Sequence, residues 1–478
     1  MIAVHLPIAS FTVSPDTLAI VTGTTVGLTA TLRAGSGQEL LGRSVVWTST
    51  NELVATVDSA GRVTGVGEGE ASIVAASDGV EGTAAITVKV LAFALVTAGD
   101  SHTCGLTTDG EAYCWGADHL AQLGTIVSLA SCEWTPHRCS TAPAAVAGAL
   151  RFVTLDAGHD HTCGPTASGE AHCWGFNADG QLGSTLTSPT LCGPPEGPCT
   201  RRPEPVTGGF TFTAISAGGE HTCGLTGGGD AYCWGSNVSG QLGDSTTTSA
   251  AAPVPVGGGL TFASISAGNN HTCGVSGSGE AFCWGWNTQG RLGDGTYVPK
   301  SYPVAVAGAH AFQSVTAGAT DYTCGVTTGG DAYCWGCNEV GKLGAGPNAT
   351  LRTDCDHSQC MWTPIAVTGS YTWRSALPAS YHTCGIAADG SAFCWGGNWV
   401  GQLGNGTTAG SQFSPVPQPT PVAVTGGLAF RSLSPGLAHT CAIATTGVAY
   451  CWGLNDLGQA AAGTSFWALA PAKVPGQR

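Results

Sequence analysis

Apolar and polar positions alternate in short runs that are separated by glycine-rich turns. One unit reads LTFASISAGNNHTCGVSGSGEAFCWGWNTQGRLGDGT over residues 260–296. Because a period of two is typical of half-buried strands, it predicts a strand from Phe262 to Ser266, a second from His271 and a third ending at Trp284. Pro303-Val304 predicts a short fourth strand. We therefore expect small antiparallel sheets joined by tight turns.

This unit repeats along most of the chain. The tripeptide Cys-Trp-Gly occurs seven times, at intervals of 50 to 60 residues, with its cysteine at 114, 173, 233, 283, 334, 394 and 451. Three or four strands per repeat predict an all-β fold in which residues 92–478 form a seven-bladed β-propeller. Radial closure leaves few free sheet edges, so a solenoid is the weaker alternative.

Each repeat carries a cysteine pair whose spacing fits one hairpin register. If Cys104 and Cys114 are opposed, residues 108–110 form a three-residue loop whose third position suits Gly110, since such loops end in a left-handed residue. Opposed Cβ atoms lie about 4.5–5.5 Å apart, close to the distance of about 3.5–4.5 Å that a disulfide needs. The same register predicts seven cross-strand disulfides: Cys104–Cys114, Cys163–Cys173, Cys223–Cys233, Cys273–Cys283, Cys324–Cys334, Cys384–Cys394 and Cys441–Cys451.

Three long inserts carry further cysteines. The inserts are polar and contain proline, so they bury little surface, and we expect a covalent clip in each: Cys132–Cys139, Cys192–Cys199 and Cys355–Cys360. Cys337 is the odd cysteine of the set. The alternative for the hairpin cysteines is that they are buried thiols that pack as small apolar residues, and the cysteine pairs of the inserts argue against it.

The His-Thr-Cys tripeptides pose a choice between metal binding and structure. His102 and Cys104 share one strand face opposite Cys114, which offers three ligands where a structural zinc site usually has four. The fifth repeat has Tyr322 in place of the histidine. We expect no metal and no cofactor, and we expect each histidine to bind a neighbouring backbone group: His102, His161, His221, His271, His382 and His439.

Residues 1–91 lack the repeat and contain no cysteine. Alternation in Leu53, Ala55 and Val57, in Ala71, Ile73 and Ala75, and in residues 86–90 predicts a small β-sandwich of about seven strands. The stretches WTS (47–49), VATV (54–57) and GRVTG (61–65) resemble the bacterial group 2 immunoglobulin-like domain. That resemblance implies a spacer or stalk in an exported protein.

Composition narrows the setting. The chain has 21 cysteines but only two methionines, and paired cysteines at this density indicate an oxidising compartment. A net charge of −15 without a basic run argues against nucleic acid as a partner. The chain has no apolar run near 18 residues, so we expect no transmembrane segment. Residues 1–15 do not resemble a signal peptide, so an export signal would lie outside this sequence.

Two sets of loop residues are candidates for binding. The loop between the first and second strands of each repeat varies and is expected to surround one mouth of the central channel, with Asp100, Asp160, Glu220, Asn270 and Asp321. Large aromatic residues follow Trp-Gly or lie in the inserts, and such residues dominate interface energetics: Phe176, Trp286, Trp399, Trp134 and Trp362. The alternatives are solvated turn carboxylates and aromatic rings packed on a neighbouring blade.

The repeat resembles that of the regulator-of-chromosome-condensation (RCC1) family. The matching pattern is SAG-x-x-H, a glycine turn and WG-x-N-x-x-GQLG, as in SAGGEHTCGL…YCWGSNVSGQLG over residues 216–243. The founding eukaryotic members are nuclear exchange factors for a small GTPase. The cysteine-bearing version looks like a secreted bacterial branch, which implies a different role.

These observations favour a secreted, non-enzymatic protein of the cell surface or extracellular space. Its rigid loop face would bind an extracellular protein or glycan. One alternative is a self-assembling subunit of a filament or surface layer, because the chain has only 10% charged residues. Another is a lyase or hydrolase at the channel mouth, although common signatures such as GxxxxGK[ST], HExxH and GxSxG are missing.

Overall fold

A computed structural model describes residues 6–126, 132, 138–185, 190–193, 197–355, 358–463 and 465–477. The chain divides into two compact units. The first contains the residues before Phe93 together with those from Pro475 onward, and the second is Phe93–Val474. The return of the last residues to the first unit is visible in the backbone, where the N–H of Leu91 donates to the carbonyl of Gly476.

The first unit has nine strands in three sheets. Two strands form one sheet, four form the second and three form the third. The strand count exceeds the expected seven because short breaks at Pro15-Asp16 and at Leu28 divide the early strands. In order of pairing, the sheets are Ser10–Ser14 and Thr29–Arg33; Thr17–Val21, Val80–Lys89, Gly69–Ser77 and Val46–Ser49; and Thr25–Gly27, Arg62–Gly65 and Ala55–Val57.

The alternation in this unit places the core as expected, with one exception. Ala71, Ile73 and Ala75 are buried together with Ile86 in one cluster. Leu53, however, is 82% exposed. It lies in a turn before the strand begins at Ala55, so strand periodicity does not apply to it.

The second unit is a β-propeller of antiparallel sheets. Its described residues form seven sheets of four or five strands, here called ring sheets 1 to 7, each with its strands in order of pairing. They are sheet 1, Phe93–Ala98, His102–Thr107, Ala112–Ala117 and Cys139–Ala145; sheet 2, Asp156–Ala157, His161–Pro165, Ala171–Phe176, Gly197–Pro205 and Thr190–Cys192; sheet 3, Phe212–Ala217, His221–Thr226, Ala231–Gly235 and Ala250–Pro255; sheet 4, Phe262–Ala267, His271–Ser276, Ala281–Gly285 and Lys300–Ala305; sheet 5, Phe312–Ala317, Tyr322–Thr327, Ala332–Cys337, Ser358–Ala366 and Arg352–Cys355; sheet 6, Trp373–Pro378, His382–Ala387, Ala392–Gly396 and Gln418–Ala423; and sheet 7, Phe430–Pro435, His439–Ala444, Ala449–Leu454 and Trp467–Lys473.

Two short elements lie between these strands. A single 3-10 turn spans Glu339–Gly341, and Gly410–Ser411 pairs with Ser414–Pro415. Among the residues described above, no helix is long and apolar enough to cross a membrane.

The hairpin between the second and third strands has the expected register. Cys104 lies opposite Cys114, and the backbone N–H of Thr107 donates to the carbonyl of Glu111 across a three-residue loop. Gly110 has a φ of 85°, the left-handed conformation that glycine tolerates best. All seven pairs derived from this register are disulfide-bonded, each with 4.1 Å between the Cα atoms.

The inserts are also clipped. Disulfides join Cys132 to Cys139 and Cys192 to Cys199. Cys360 is disulfide-bonded, while the side chain of its expected partner, Cys355, lies outside the described part of the chain. Cys337 keeps its thiol, which is buried and donates a hydrogen bond to Asp321.

The ring closes by contact between sheets 7 and 1. The guanidinium of Arg431 donates to the carbonyl of Phe93 at 2.9 Å, and the backbone N–H of Ala98 donates to the hydroxyl of Ser434 at 2.8 Å. These pairs are more than 330 residues apart in sequence.

Candidate binding face and the ring that carries it

A circular chain of side-chain hydrogen bonds joins the ring sheets. In six sheets, Nε2 of the histidine in His-Thr-Cys lies 2.8–2.9 Å from the threonine hydroxyl of the next sheet. The last of these contacts runs from His439 back to Thr103 in sheet 1. The expectation of a backbone partner is therefore wrong for Nε2 of these histidines, which meets a hydroxyl of the adjacent sheet instead. His221 also has a backbone hydrogen bond with Asn269.

The same threonine also fixes the histidine tautomer. Thr272 donates its hydroxyl proton to the carbonyl of Gln241 at 2.8 Å, and the indole N–H of Trp284 donates to the same carbonyl at 3.0 Å. Since a hydroxyl has one proton, the proton between His221 and Thr272 must be on Nε2 of the histidine. At every sheet boundary a threonine hydroxyl and the indole N–H of a fully buried tryptophan donate to one shared carbonyl.

Burial holds these histidines neutral. His102, His161, His221, His382 and His439 are fully buried, and desolvation lowers the pKa of each to about 3. The pKa of His271 is also well below its usual value. A neutral imidazole suits its single Nε2–H donor role in the ring.

Sheets 4 and 5 depart from the pattern. Four repeats have glutamine before Leu-Gly and the seventh has Gln459 before Ala-Ala, whereas sheets 4 and 5 have Arg291 and Lys342 at this position. Sheet 5 also has Tyr322 in place of histidine. The Tyr322 hydroxyl donates to the carbonyl of His382 at 2.7 Å, so it still bridges to the next sheet. Lys342 is 1% exposed, with its Nζ 2.6 Å from Oδ1 of Asp321.

The two cations of this cluster keep Asp321 ionised. Although burial alone would raise it, the ammonium of Lys342 lowers the pKa of Asp321 to about 2, and Arg291 acts in the same direction. Arg291 is 5% exposed and donates to the carbonyl of Thr320 at 3.2 Å. Asp321 is therefore held in an internal ion pair, which reduces its value as a binding carboxylate.

The two sets of candidate loops lie on one face of the ring. In each sheet, the residue after Trp-Gly donates its backbone N–H to the carbonyl of the residue before the histidine or its tyrosine equivalent. Examples are Phe176 to Asp160 at 2.9 Å and Trp286 to Asn270 at 2.8 Å. The hairpin turns between second and third strands lie at the opposite ends of these strands. We call the face with the candidate loops the loop face.

The loop face is acidic at sheets 1 to 3. His159 Nδ1 lies 3.7 Å from Oδ2 of Asp100, and Asp160 interacts electrostatically with Asp100 and Glu220. Burial, with repulsion from these two carboxylates, raises the pKa of Asp160 to about 6. Burial also raises the pKa of Asp100, against the influence of His159. Asn270 is half-buried on the adjoining sheet 4.

The aromatic candidates divide between packed and exposed rings. Phe176 packs with Leu120 and the Cys192–Cys199 disulfide, which is the packing alternative given above. Trp399 is half-buried and makes an edge contact with Tyr381, with 5.1 Å between ring centroids. Trp286 remains 38% exposed.

Trp362 reaches across to the neighbouring sheet. Its ring lies 5.0 Å from that of Tyr297, which is itself 57% exposed, and beneath the guanidinium of Arg352 at 3.8 Å. Gly290 permits the approach, because a Cβ there would lie 2.3 Å from the indole. Trp134 lies outside the described residues.

A cavity of about 200 Å³ occupies the centre of the ring, and all seven sheets line it. Asp100 and His159 belong to its wall, together with Asp156, which sequence reasoning missed. Asp156 stands where sheets 3 and 4 have the serine of Ser-Ala-Gly, and that departure from the repeat was the available signal. Lys342, Arg291 and Tyr297 were also missed as partners of the candidate residues. No group of three or more metal-ligating side chains is found within the described residues.

A closed ring of antiparallel sheets, joined by a recurring His-Thr-Cys and Trp-Gly kernel, defines a repeat β-propeller. The family model described as RCC1-like domain matches residues 42–372. Two models of the regulator of chromosome condensation (RCC1) repeat match residues 389–443 and 430–459. The chain belongs to the RCC1-like family.

Two curated relatives differ in how much of them this chain covers. The Ultraviolet-B receptor UVR8 of Arabidopsis thaliana is 29% identical over 381 residues, covering 80% of this chain and 69% of UVR8. The human probable E3 ubiquitin-protein ligase HERC6 is 28% identical over 155 residues, which are 32% of this chain and 14% of HERC6. A match to so small a part of HERC6 does not carry over its ligase activity.

Solved structures support the same fold. Prp20p of Saccharomyces cerevisiae has a TM-score of 0.64 and 18% identity, covering 77% of this chain and 87% of Prp20p. Human WBSCR16 has a TM-score of 0.61 and 19% identity, covering 76% of this chain and 93% of WBSCR16. At these identities the likeness concerns the fold alone.

Proposed function

We propose that this protein is a secreted, non-enzymatic, seven-bladed propeller that binds an extracellular protein through its loop face. The observation that carries the proposal is the contrast between the two parts of each repeat. The sheet boundaries repeat the same hydrogen bonds around the ring, whereas charge and aromatic residues change from loop to loop on one face. Binding sites commonly lie on variable loops that a rigid scaffold positions.

The oxidising setting rests on the disulfides. Seven of them cross a hairpin, and two more join cysteines that are 7 residues apart in the inserts. Such bonds persist outside the cell and are rare where thiols are kept reduced. We assign residues 1–91 to an immunoglobulin-like, group 2 bacterial type of module that acts as a spacer, on the basis of their three small β-sheets and the WTS, VATV and GRVTG stretches.

The partner is a protein with a basic patch. Asp100, Asp160 and Glu220 give one side of the loop face a negative potential, and exposed Trp286 lies on the adjoining sheet 4. Complementary charge steers association, and a tryptophan supplies apolar contact area. The yeast relative Prp20p has been solved together with a description of its binding properties to Gsp1p and histones, so the fold supports protein binding.

The test compares two matched triple variants. One variant neutralises the acidic side of the loop face: Asp100→Asn, Asp160→Asn and Glu220→Gln. The control removes the same three charges from exposed hairpin turns at the opposite ends of the strands: Asp230→Asn, Asp331→Asn and Glu280→Gln. Each tagged protein is crosslinked in the native extracellular fluid, and captured proteins are quantified by mass spectrometry.

We expect a basic protein that the wild type and the control capture equally, and that the loop-face variant loses by tenfold or more. Binding of that protein, once purified, should weaken as salt rises, because exposed charges are screened. Equal capture by all three proteins, or loss in the control alone, would contradict the assignment of the loop face.

A further inference from the structure

The central cavity has two chemically different sides. Asp100, Asp156 and His159 line it from sheets 1 and 2. Leu377-Pro378 and Leu433–Pro435 line it from sheets 6 and 7, while alanine, glycine, serine and threonine form the rest of the wall. The residues that line the cavity include no lysine or arginine, so carboxylates dominate its charge.

A second circle of hydrogen bonds explains where these two sides come from. In sheet 3 the hydroxyl of Ser216 accepts the backbone N–H of Ala267 in the next sheet at 3.0 Å, and Ser266 accepts that of Ala317 in the same way. Proline at 378 and 435 has no N–H to donate. The links from sheet 5 to sheet 6 and from sheet 6 to sheet 7 are therefore missing, and Leu377, Pro378 and Pro435 line the cavity there. Ser434 of sheet 7 still accepts the N–H of Ala98 in sheet 1.

Asp156 occupies the serine position of this circle. Its Oδ2 accepts the backbone N–H of Ala217 at 2.9 Å, and its Oδ1 accepts the hydroxyl of Thr97 at 3.2 Å. Ser216 and Ser266 make the equivalent link to the next sheet with a neutral hydroxyl. The link between sheets therefore does not need the negative charge of Asp156. The Asp156 side chain also lies in the wall of the cavity.

We propose that this cavity binds an alkylammonium group. The ammonium would lie against Asp156 and Asp100, and the methylene stem would pack on the apolar side at Leu377, Pro378 and Pro435. A volume of about 200 Å³ accommodates a short aliphatic chain. The inference does not depend on the proposed function, because a small amine can bind the isolated protein.

Two observations favour an organic cation over a metal ion. The part of the chain that the structure describes holds no cluster of three or more metal-ligating groups. Leu377, Pro378 and Pro435 make one side of the wall apolar, which suits an alkyl stem and not a hydrated ion. Both a free diamine and the lysine side chain of a partner protein carry an ammonium on an alkyl chain. The experiment below distinguishes these two ligands.

The ionisation of the wall predicts how binding depends on pH. Burial raises the pKa of Asp156 to about 6, against hydrogen bonds from Ala217, Ser216 and Thr97, and burial raises the pKa of Asp100 as well. His159 and Asp160 are the other titratable groups that face Asp100. Below about pH 6 the carboxyl of Asp156 is largely protonated, so a cation loses its partner.

The experiment is calorimetric titration of the full protein with three probes. They are the diamine cadaverine, its neutral analogue pentanediol, and N-acetyl-lysine methylamide. We expect cadaverine to bind at about pH 7.5, to bind tenfold or more weakly at about pH 5, and pentanediol not to bind. Failure of both amines to bind, or equal binding of pentanediol, would overturn the proposal.

Variants locate the site. Asp156→Ser keeps a hydroxyl that accepts from Ala217, as in sheets 3 and 4, and should reduce cadaverine affinity tenfold or more without lowering the unfolding midpoint. Asp100→Asn is a second variant with the same expected direction, and Asp230→Asn on an exposed turn is the control. Unchanged affinity in both cavity variants would refute the assignment. If only cadaverine binds, the ligand is a free amine. If the lysine derivative binds as well, the ligand is a lysine side chain of a partner.

Discussion

The hydroxyl of Thr272 tests the circular hydrogen-bond chain most directly. Thr272→Val keeps the shape of the side chain but removes the acceptor of His221 Nε2–H and the donor to Gln241. The carbonyl of Gln241 retains the indole N–H of Trp284, so only the histidine donor becomes unsatisfied. An orphaned buried donor costs about 1–3 kcal/mol, and a lost hydrogen bond costs about 1 kcal/mol, so we expect about 2–4 kcal/mol of destabilisation.

The assay is urea unfolding with the disulfides intact, monitored by tryptophan fluorescence. Seven tryptophans are buried at the sheet boundaries, so their emission should change when the ring unfolds. Thr247→Val is the matched control, because Thr247 is exposed in a loop of sheet 3. If the two variants lose the same free energy of unfolding, the circular chain does not stabilise the ring and our account of it is wrong. His221→Tyr asks a related question, because sheet 5 naturally bridges with Tyr322.

Three further predictions concern pH, charge and disulfides. Burial lowers the pKa of His221 to about 3, whereas a histidine in the unfolded chain has a pKa of about 6.5. The free energy of unfolding should therefore fall as the pH drops below about 6.5, by about 2 kcal/mol per buried histidine at pH 5. Carboxyls whose pKa burial raises, such as Asp156 at about 6, act in the opposite direction, and we expect the six buried histidines to outweigh them. A Tm at pH 5 equal to that at pH 7.5 would contradict this prediction. Asp321→Asn should destabilise by about 3–5 kcal/mol by leaving the ammonium of Lys342 buried without its carboxylate, while adding Lys342→Gln, the usual repeat residue, should restore stability in thermal unfolding. Joint replacement of Cys273 and Cys283 by serine should cost about 2–3 kcal/mol in urea unfolding, and no loss would show that the bond is dispensable.

The strands and hairpins could be predicted from the sequence because they depend on residues that are close together in the chain. The register that opposes Cys104 and Cys114 follows from a three-residue turn, so the spacing of 10 residues is sufficient to place the pair. The partner of each histidine depends on how one sheet meets the next, and no short-range pattern encodes that geometry. The prediction of a backbone partner for His102 was wrong for this reason, because Thr162 is 60 residues away.

The candidate site was predictable only in part. The loop positions of Asp100, Asp160 and Glu220 followed from the repeat, and whether they act in binding remains a prediction. The ion pair of Asp321 could not be foreseen, since Lys342 approaches it from another loop of the same ring. Asp156 was overlooked because a single serine-to-aspartate change within Ser-Ala-Gly looks like ordinary repeat variation.

The contact between His439 and Thr103 joins residues 336 positions apart, whereas each other link of that circle spans about 50 to 60 residues. As the chain is synthesised, sheets 1 to 6 can associate in order, but the last boundary forms only after the final repeat is made. A chain cut short before that repeat would present two open sheet faces instead of none, and exposed faces of this kind promote aggregation. The ring therefore distinguishes complete chains from incomplete ones, and quality control of nascent protein can act on that difference.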